Sequence, residues 1–511
     1  MTYAKKSNPR PSPWTALLVP ALLGACTVGP DYKKPDAASQ VSYKEAGDAW
    51  KQAVPQDAAD RGAWWSVYDD PVLDGLEKQV DISNQTLRES EAAYRQAVAL
   101  VGEADATFYP TLGVTPSVTR SSSGAGGLAS GNGAGTGGAA IGRGRTTVTQ
   151  YSASATASWS PDLWGKIRRT VESDIGTAQA TAADLAGARL SAQATLASDY
   201  FQLRSTDQLK RLLDDTVDAY TRSLKITKDQ YAAGTAQKSD VITAETQLES
   251  AQAQEINTGV QRATLEHAIA VLIGKPPGEF SIELAPLTDH VPVSPPGIAS
   301  SLLERRPDIA GAERRVAAAN AQIGVAISAF YPNLTLSASD GFSATSLGSL
   351  FTAANNVWSL GGSLSETVFD AGERSAAVDA ARATYDQTVA TYRQTVLAGF
   401  QQVEDELATL RILEQQAKVE ENTVKSAKQA VGLFLNEYKA GTVAYTSVVT
   451  AQATALTEEE SLLTIQQNRL VASVTLIQAV GGGWTADQLP APDKLDETAA
   501  QQLAAKKDDA K

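Results

Sequence analysis

Two stretches of this chain, from about residue 164 to 231 and from about 372 to 438, run without a single proline. Ordinary globular helices are 8–20 residues long. A helix of about 67 residues extends roughly 100 Å at 1.5 Å per residue, which is longer than a single globular core. The apolar pattern is heptad. Val396, Val403, Leu410, Ala417, Val424, Val431 and Tyr438 fall seven apart, and Arg189, Leu196, Leu203, Lys210, Val217, Leu224 and Tyr231 form the matching series in the earlier run. Sustained heptads imply coiled-coil packing. The basic residues at 189 and 210 make the earlier seam imperfect.

The two runs belong to a duplicated unit. "ATFYPTLGV" at 106–114 returns as "SAFYPNLTL" at 328–336, and "YAAGTAQKSDVITAETQL" at 231–248 returns as "YKAGTVAYTSVVTAQATA" at 438–455. "DLWGKIRR" at 162–169 corresponds to "FDAGERSA" at 369–376, and "IAVLIG" at 269–274 to "IQAVGG" at 477–482. From Gly165/Gly372 to Gly274/Gly481 the offset holds at 207 residues. Each unit reads as a helix stopped by the proline of Phe-Tyr-Pro, two alternating segments, the long helix, a Gly-Thr break and a shorter helix. The first unit also carries a longer loop: residues 121–145 contain ten glycines and read as a flexible surface loop. The implied organisation is a signal peptide at 1–25, an N-terminal segment at 26–70 and a first repeat at 71–274. An equatorial linker at 275–300, a second repeat at 301–481 and a C-terminal segment at 482–511 follow.

The alternating segments are the second constraint. In 147–160, Tyr151, Ala153, Ala155, Ala157 and Trp159 share one face, and Gln150, Ser152, Ser154, Thr156 and Ser158 share the other. In 356–365, Trp358, Leu360, Gly362 and Leu364 alternate with Val357, Ser359, Gly361 and Ser363. Segments 111–120 and 333–342 alternate more weakly. An apolar face with aromatic ends, backed by hydroxyls, is the pattern of an outer-membrane barrel strand. Tyr151, Trp159 and Trp358 are therefore candidate membrane-interface aromatics. Tyr151 and Trp159 stand about 26 Å apart along a strand, close to the ~25 Å apolar band of such barrels. Four strands cannot close a barrel, and an open edge cannot face lipid, so several copies must share one. The short helical segments 236–273 and 302–329, about 57 and 42 Å long by the same rise, could stack end to end to match one long helix. Their joint, with 274–300 and the termini, would form a girdle halfway along.

The N-terminus points to the same compartment. Lys5, Lys6 and Arg10 precede an apolar run from Trp14 to Ala25, followed by the only cysteine, Cys26. Twelve mostly apolar residues suit a signal peptide and are too short to span a bilayer. Leu23-Gly24-Ala25-Cys26 fits a bacterial lipoprotein signal, in which the cysteine thiol is acylated. Stable anchoring takes more than one acyl chain. Thr27 after the cysteine, rather than aspartate, points to the outer membrane. With a single cysteine no internal disulfide is possible.

Composition removes other functions. The formal charge is −14, and losing the three positive charges of the signal leaves −17, so nucleic acid is excluded as a partner. His267 and His290 lack metal-ligand spacing, and the glycines of 121–145 lack the lysine and helix start of a phosphate loop. Carboxylates read as solvated helix faces. There is no catalytic constellation, metal site or cofactor motif. A structural coiled-coil envelope lipoprotein is an alternative to a duct, but it has no need of two short aromatic-ended hairpins.

The combination of "CTVGPDYKKP" at 26–35, "WSPDLWGKIRR" at 159–169, "LLERRPDIAGAERRVAAANAQIGVAISAFYPNLTL" at 302–336, "FDAGERSA" at 369–376 and "VGGGW" at 480–484 resembles the TolC-type outer-membrane factors, in particular their lipoprotein (NodT-type) branch. The resemblance covers nearly the whole mature chain. It implies a mainly α fold with a small β part: a homotrimer whose twelve strands form one transmembrane barrel in outer-membrane lipid and whose helices form a periplasmic tunnel. It implies a passive exit duct for small molecules, served by a periplasmic adaptor and an inner-membrane transporter, with protein secretion as the alternative cargo. It places the adaptor-docking tips at Tyr231, Gly234, Thr235 and Tyr438, Gly441, Thr442. Many members constrict the tip with aspartates, where this chain has Ser447 and Thr450. Asp240, equivalent to Ser447 in the first copy, either supplies that charge at the pore entrance or is a solvated helix residue.

Overall fold

The computed structural model describes residues 27–38, 43–46, 63–123, 146–288, 290–292, 305–495 and 497. Cys26 and residues 124–145, most of the glycine-rich loop, lie outside them. Eleven main elements follow in order: α1 (Pro71–Ser83), α2 (Gln85–Ala106), β1 (Thr111–Ser123), β2 (Thr146–Trp159), α3 (Lys166–Ala232) and α4 (Lys238–Leu272). Then come α5 (Pro307–Ser328), β3 (Asn333–Ala344), β4 (Asn356–Ser365), α6 (Glu373–Lys439) and α7 (Tyr445–Ala479). The two long helices are each 67 residues, and α4 and α7 are each 35. The repeat offset is therefore preserved at both ends of every helix in the lower half.

The helices form a layer of four columns. Next to α3 on one side stand α2 and α4, and on the other side α5 and α7; α6 packs on α5 and α7. The short helices stack end to end within a repeat, not across repeats as the matched lengths of 236–273 and 302–329 suggested. Asn84, which caps α2 by accepting from Leu87 N, donates its Nδ2 to Leu272 O at 2.7 Å, and Ser83 Oγ donates to Ile273 O. In the second repeat Arg306 Nη1 donates to Ala479 O at 2.9 Å. So α2 sits on α4, and α5 on α7. Side-chain hydrogen bonds to the last carbonyls of the lower helices select these partners, which length alone cannot do.

The heptad reading holds for α6, where Val396, Val403, Ala417, Val424 and Tyr438 are buried. It fails in the lower half of α3. There the buried seam is Thr206, Leu213, Tyr220 and Thr227, while Lys210, Val217 and Leu224 are only partly buried and Tyr231 is exposed. α6 is an edge column with neighbours on one side. α3 has neighbours on both sides and carries two seams.

A girdle surrounds the joints. Trp64, Trp65, Tyr68 and Leu73 pack with Leu196, Tyr200, Phe201, Ile273, Ile282 and Val474. The expectation that carboxylates are all solvated is wrong here. Asp207 is fully buried, 2.8 Å from Arg262 Nε and 3.2 Å from Arg204 Nη1, and accepts from Ala285 N. Arg204 also donates to Glu283 O, so two arginines and one aspartate fasten the linker to α3 and α4. In the second repeat the N-terminal segment takes the linker's place. Arg411, the counterpart of Arg204, pairs with Glu45, and Glu404 accepts from the backbone N–H groups of Lys44 and Glu45 at 2.8 and 3.0 Å.

Candidate functional site

The four strands form one antiparallel sheet in the order β1-β2-β3-β4. Register places Leu112, Val114 and Val118 opposite Ala157, Ala155 and Tyr151, and Trp159 opposite Leu336, which in turn faces Gly362. Because opposed residues share a face, Leu112, Val114, Val118, Tyr151, Trp159, Leu336, Trp358, Leu360 and Leu364 lie on one side. Much of that side is bare: Leu112 is 82% exposed, Val114 79%, Leu360 79% and Trp358 71%. The other side carries hydroxyl pairs, Ser117 with Ser152 at 2.7 Å and Ser339 with Ser359 at 2.8 Å, and Gln150 Nε2 donates to Ser343 Oγ. An apolar patch of this extent on a monomer marks a membrane or partner surface. A wall with one apolar and one hydroxylated face separates lipid from an aqueous lumen. Trp358 stands opposite Asp340, four residues from the Trp159–Leu336 pair, and Asn356 Nδ2 holds the Asp340 carboxylate at 3.0 Å.

At the base of the sheet lies an aromatic belt that strand alternation did not reveal. Trp164 stacks on Tyr331 with centroids 4.9 Å apart and donates Nε1 to Pro332 O at 2.8 Å; Trp159 Nε1 donates to Phe108 O at 2.8 Å. Phe330 lies under the Arg374 guanidinium at 5.1 Å. The Phe-Tyr-Pro motifs therefore do more than stop helices: they place aromatic rings where the strands leave the helical layer. Their duplication was the available signal.

The chain after Cys26 is fastened at this same level. Val28 N donates to Trp164 O at 3.0 Å. The buried Arg169 guanidinium donates to Val28 O, Gly29 O and Asp31 and pairs with Glu172 at 2.7 Å. Residue 27 touches Gly165, at the foot of β2.

The far end of the layer is the pair of hairpin tips. Gly234 (φ +74°) and Gly441 (φ +71°) adopt left-handed backbone after α3 and α6. Thr235 and Thr442 use both N–H and hydroxyl on one carbonyl, Gln230 O and Glu437 O respectively. Tyr231 is exposed, whereas Tyr438 is buried against Tyr445, Val448 and Ala244 with ring centroids of the two tyrosines 5.1 Å apart. Burial pushes the Tyr445 phenol up to about 12, so it stays neutral at any cellular pH. Gln230 Nε2 donates to Tyr438 O and ties one hairpin to the other.

The three pore-entrance candidates are placed near these tips. Asp240 forms a capping box with Gln237 at the start of α4, so its charge serves that helix end. Ser447 is half-buried in the first turn of α7. Thr450 is exposed and donates its hydroxyl to Thr446 O at 2.9 Å. Among the described residues no carboxylate or histidine cluster could hold a metal, and no helix is long and apolar enough to cross a membrane.

The family model for outer membrane efflux proteins matches residues 76–275 and 298–482. The chain is 30% identical over 471 residues to the pyoverdine export outer membrane protein OpmQ of Pseudomonas aeruginosa, covering 91% of this chain and 96% of that one. It is 26% identical over 469 residues, again 91% and 96% of the two chains, to the probable outer membrane lipoprotein SilC of Salmonella typhimurium. The solved outer-membrane channel OprN superposes with a TM-score of 0.80 at 27% identity, over 90% of this chain and all of that one.

Proposed function

The chain belongs to the outer membrane efflux protein family, and from that premise we propose that it works as a homotrimeric exit duct for small molecules. The protein is an outer-membrane efflux component. Each copy contributes four strands and four helical columns, and a periplasmic adaptor at the tips joins the duct to an inner-membrane transporter that selects the cargo. The carrying observation is the sheet: β1 and β4 are open edges, and much of one face is bare and apolar. Neither is tolerable until further copies close the ring and lipid covers the outside. Cys26 then carries the acyl anchor, because Thr27 is held at the base of the sheet; fatty-acid labelling of the protein disappears in Cys26→Ser. The reading is tested by removing the gene. Susceptibility to small toxic compounds rises several-fold and returns to normal with this chain, and photo-crosslinkers at Thr235 and Thr442 capture the adaptor. Unchanged susceptibility with loss of a secreted protein would favour a secretion duct instead.

At the tip, Thr450 lines the narrowest part of the tunnel with Ser447, and Asp240 lies nearby. A Thr450→Asp change sets three carboxylates in a ring where screening is weak. In planar bilayers the variant becomes sensitive to divalent cations added on the tip side, while the parent responds far less. Identical conductance and identical block in the two proteins would place Thr450 off the pore.

A further inference from the structure

The duplication supplies an internal control for the lower helices, and one pair of buried apolar positions in the first copy is replaced by two acids in the second. In the first copy Leu213 of α3 and Ala251 of α4 are 2% and 3% exposed. At the same places in the second copy, 207 residues on, stand Glu420 of α6 and Glu458 of α7. The two carboxyls meet within hydrogen-bonding reach, and Glu420 Oε1 is enclosed with no donor facing it. Two acceptor-only carboxylates cannot hydrogen-bond each other unless one of them carries a proton.

We propose that Glu420 and Glu458 form a proton-operated latch between α6 and α7, a regulatory device within the duct. With one proton shared, the Glu420 carboxyl donates to the Glu458 carboxylate and the helices are held together. When that proton leaves to solvent, two carboxylates face each other and push the helices apart. The hydrogen bond to Glu458 raises the affinity of Glu420 for its proton, and burial adds to this. The closed arrangement therefore binds the proton more tightly than a separated one. By linkage the closed state is favoured at low pH and loses that advantage as pH rises through the titration of Glu420.

The surroundings do not neutralise the pair. On α6, Lys418 is held by Glu414 at 2.7 Å and Lys428 by Glu459 at 2.6 Å. From α3, Asp215 lines the groove that Lys428 and Glu459 share. On α7, Glu460 lines a groove with Tyr220, and Arg469 acts on Glu414. Among the described residues no ion pair engages Glu420 or Glu458. The position is also mechanically suited. Below the N-terminal segment that Glu404 and Arg411 hold, α6 packs on α7, and Glu420 stands about 30 Å along the helix from the Gly441 turn, so separation there releases a long lower arm.

What the latch opens rests on the duct reading, but its test does not. Hydrogen exchange is followed by mass spectrometry on the full-length protein in detergent, for segments 413–427 and 451–465, with the intrinsic pH dependence removed. Exchange in the parent rises several-fold between pH 5 and pH 8. It stays slow and flat in the E420L/E458A protein, which carries the first copy's residues, and flat in E420Q, which keeps shape and size. A flat parent, or variants that rise as the parent does, overturns the latch. A rise in the parent that appears only with a chelator assigns the pair to a bound cation and also overturns it. Normal efflux with pH-dependent exchange would leave the duct reading and the latch both standing, whereas absent efflux with pH-dependent exchange would remove only the former.

Discussion

Replacing Asp207 with alanine lowers the stability of the assembled protein by about 3–5 kcal/mol, the loss expected when one partner of a buried ionic cluster is removed. The reason is what remains. Arg204 has a side chain 4% exposed and stands over the Tyr200 ring at 4.7 Å, and Arg262 is 19% exposed. Without the carboxylate, two guanidiniums face each other across a dry joint. Ala285 N also loses its acceptor. The linker at 281–285 is then held by Glu266 at Ile282 N and by the two arginine contacts to Glu283 O and Ile282 O alone. Asp207→Asn keeps the shape and one oxygen acceptor and falls between parent and alanine. Denaturant titration in detergent, followed by the fraction of intact oligomer, reads the difference. A loss below about 1 kcal/mol would mean that Glu266, already 3.2 Å from Arg262, suffices for that arginine and that water reaches Arg204, so that the joint is not dry.

How far the residues alone reveal this molecule depends on how local each cause is. The barrel wall is legible because side-chain period 2 along each strand places Tyr151 and Trp159 on the same face whatever the neighbours are. The seam of α6 is legible because an edge helix buries one stripe. The seam of α3 is not, since a helix packed on both sides buries two stripes, and a period search favours whichever holds more leucine and valine over Thr206 and Thr227. Which short helix stacks on which is decided by Asn84, Ser83 and Arg306 at the joints, contacts between residues far apart in the chain. Equal lengths permit the wrong pairing as readily as the right one. Asp240 illustrates a further limit. Its equivalence to Ser447 leaves it open between a pore-entrance charge and a solvated helix residue, and neither reading contains the helix cap into which Gln237, three residues back, draws it. The Phe-Tyr-Pro aromatics were visible in the sequence, and only their stacking on Trp164 shows them as a belt.

The glycines at the joints and at the tips look alike in sequence and differ sharply in what alanine does to them. All four are left-handed: Gly234 at +74°, Gly441 at +71°, Gly274 at +69° and Gly481 at +95°. Forcing an L side chain there costs about 1–2 kcal/mol at each. At the tips that is the whole cost, because a Cβ on Gly234 or Gly441 meets nothing within 4 Å. At the joints it is the smaller part. A Cβ on Gly274 would lie 2.3 Å from Ser83 O, and one on Gly481 2.0 Å from Arg305 O, both backbone atoms two residues before the helix stacked above. The backbones must separate, which breaks the Asn84–Leu272 bond in one column or the Arg306–Ala479 bond in the other, at a further cost of about 1–3 kcal/mol. Gly274→Ala and Gly481→Ala therefore lose about 2–5 kcal/mol and assemble poorly, while Gly234→Ala and Gly441→Ala lose about 1–2 kcal/mol and assemble fully. Heating each variant and following the surviving oligomer on a gel separates the two classes. Equal losses at all four sites would show that the joints slide freely, and that the two columns are not rigid struts.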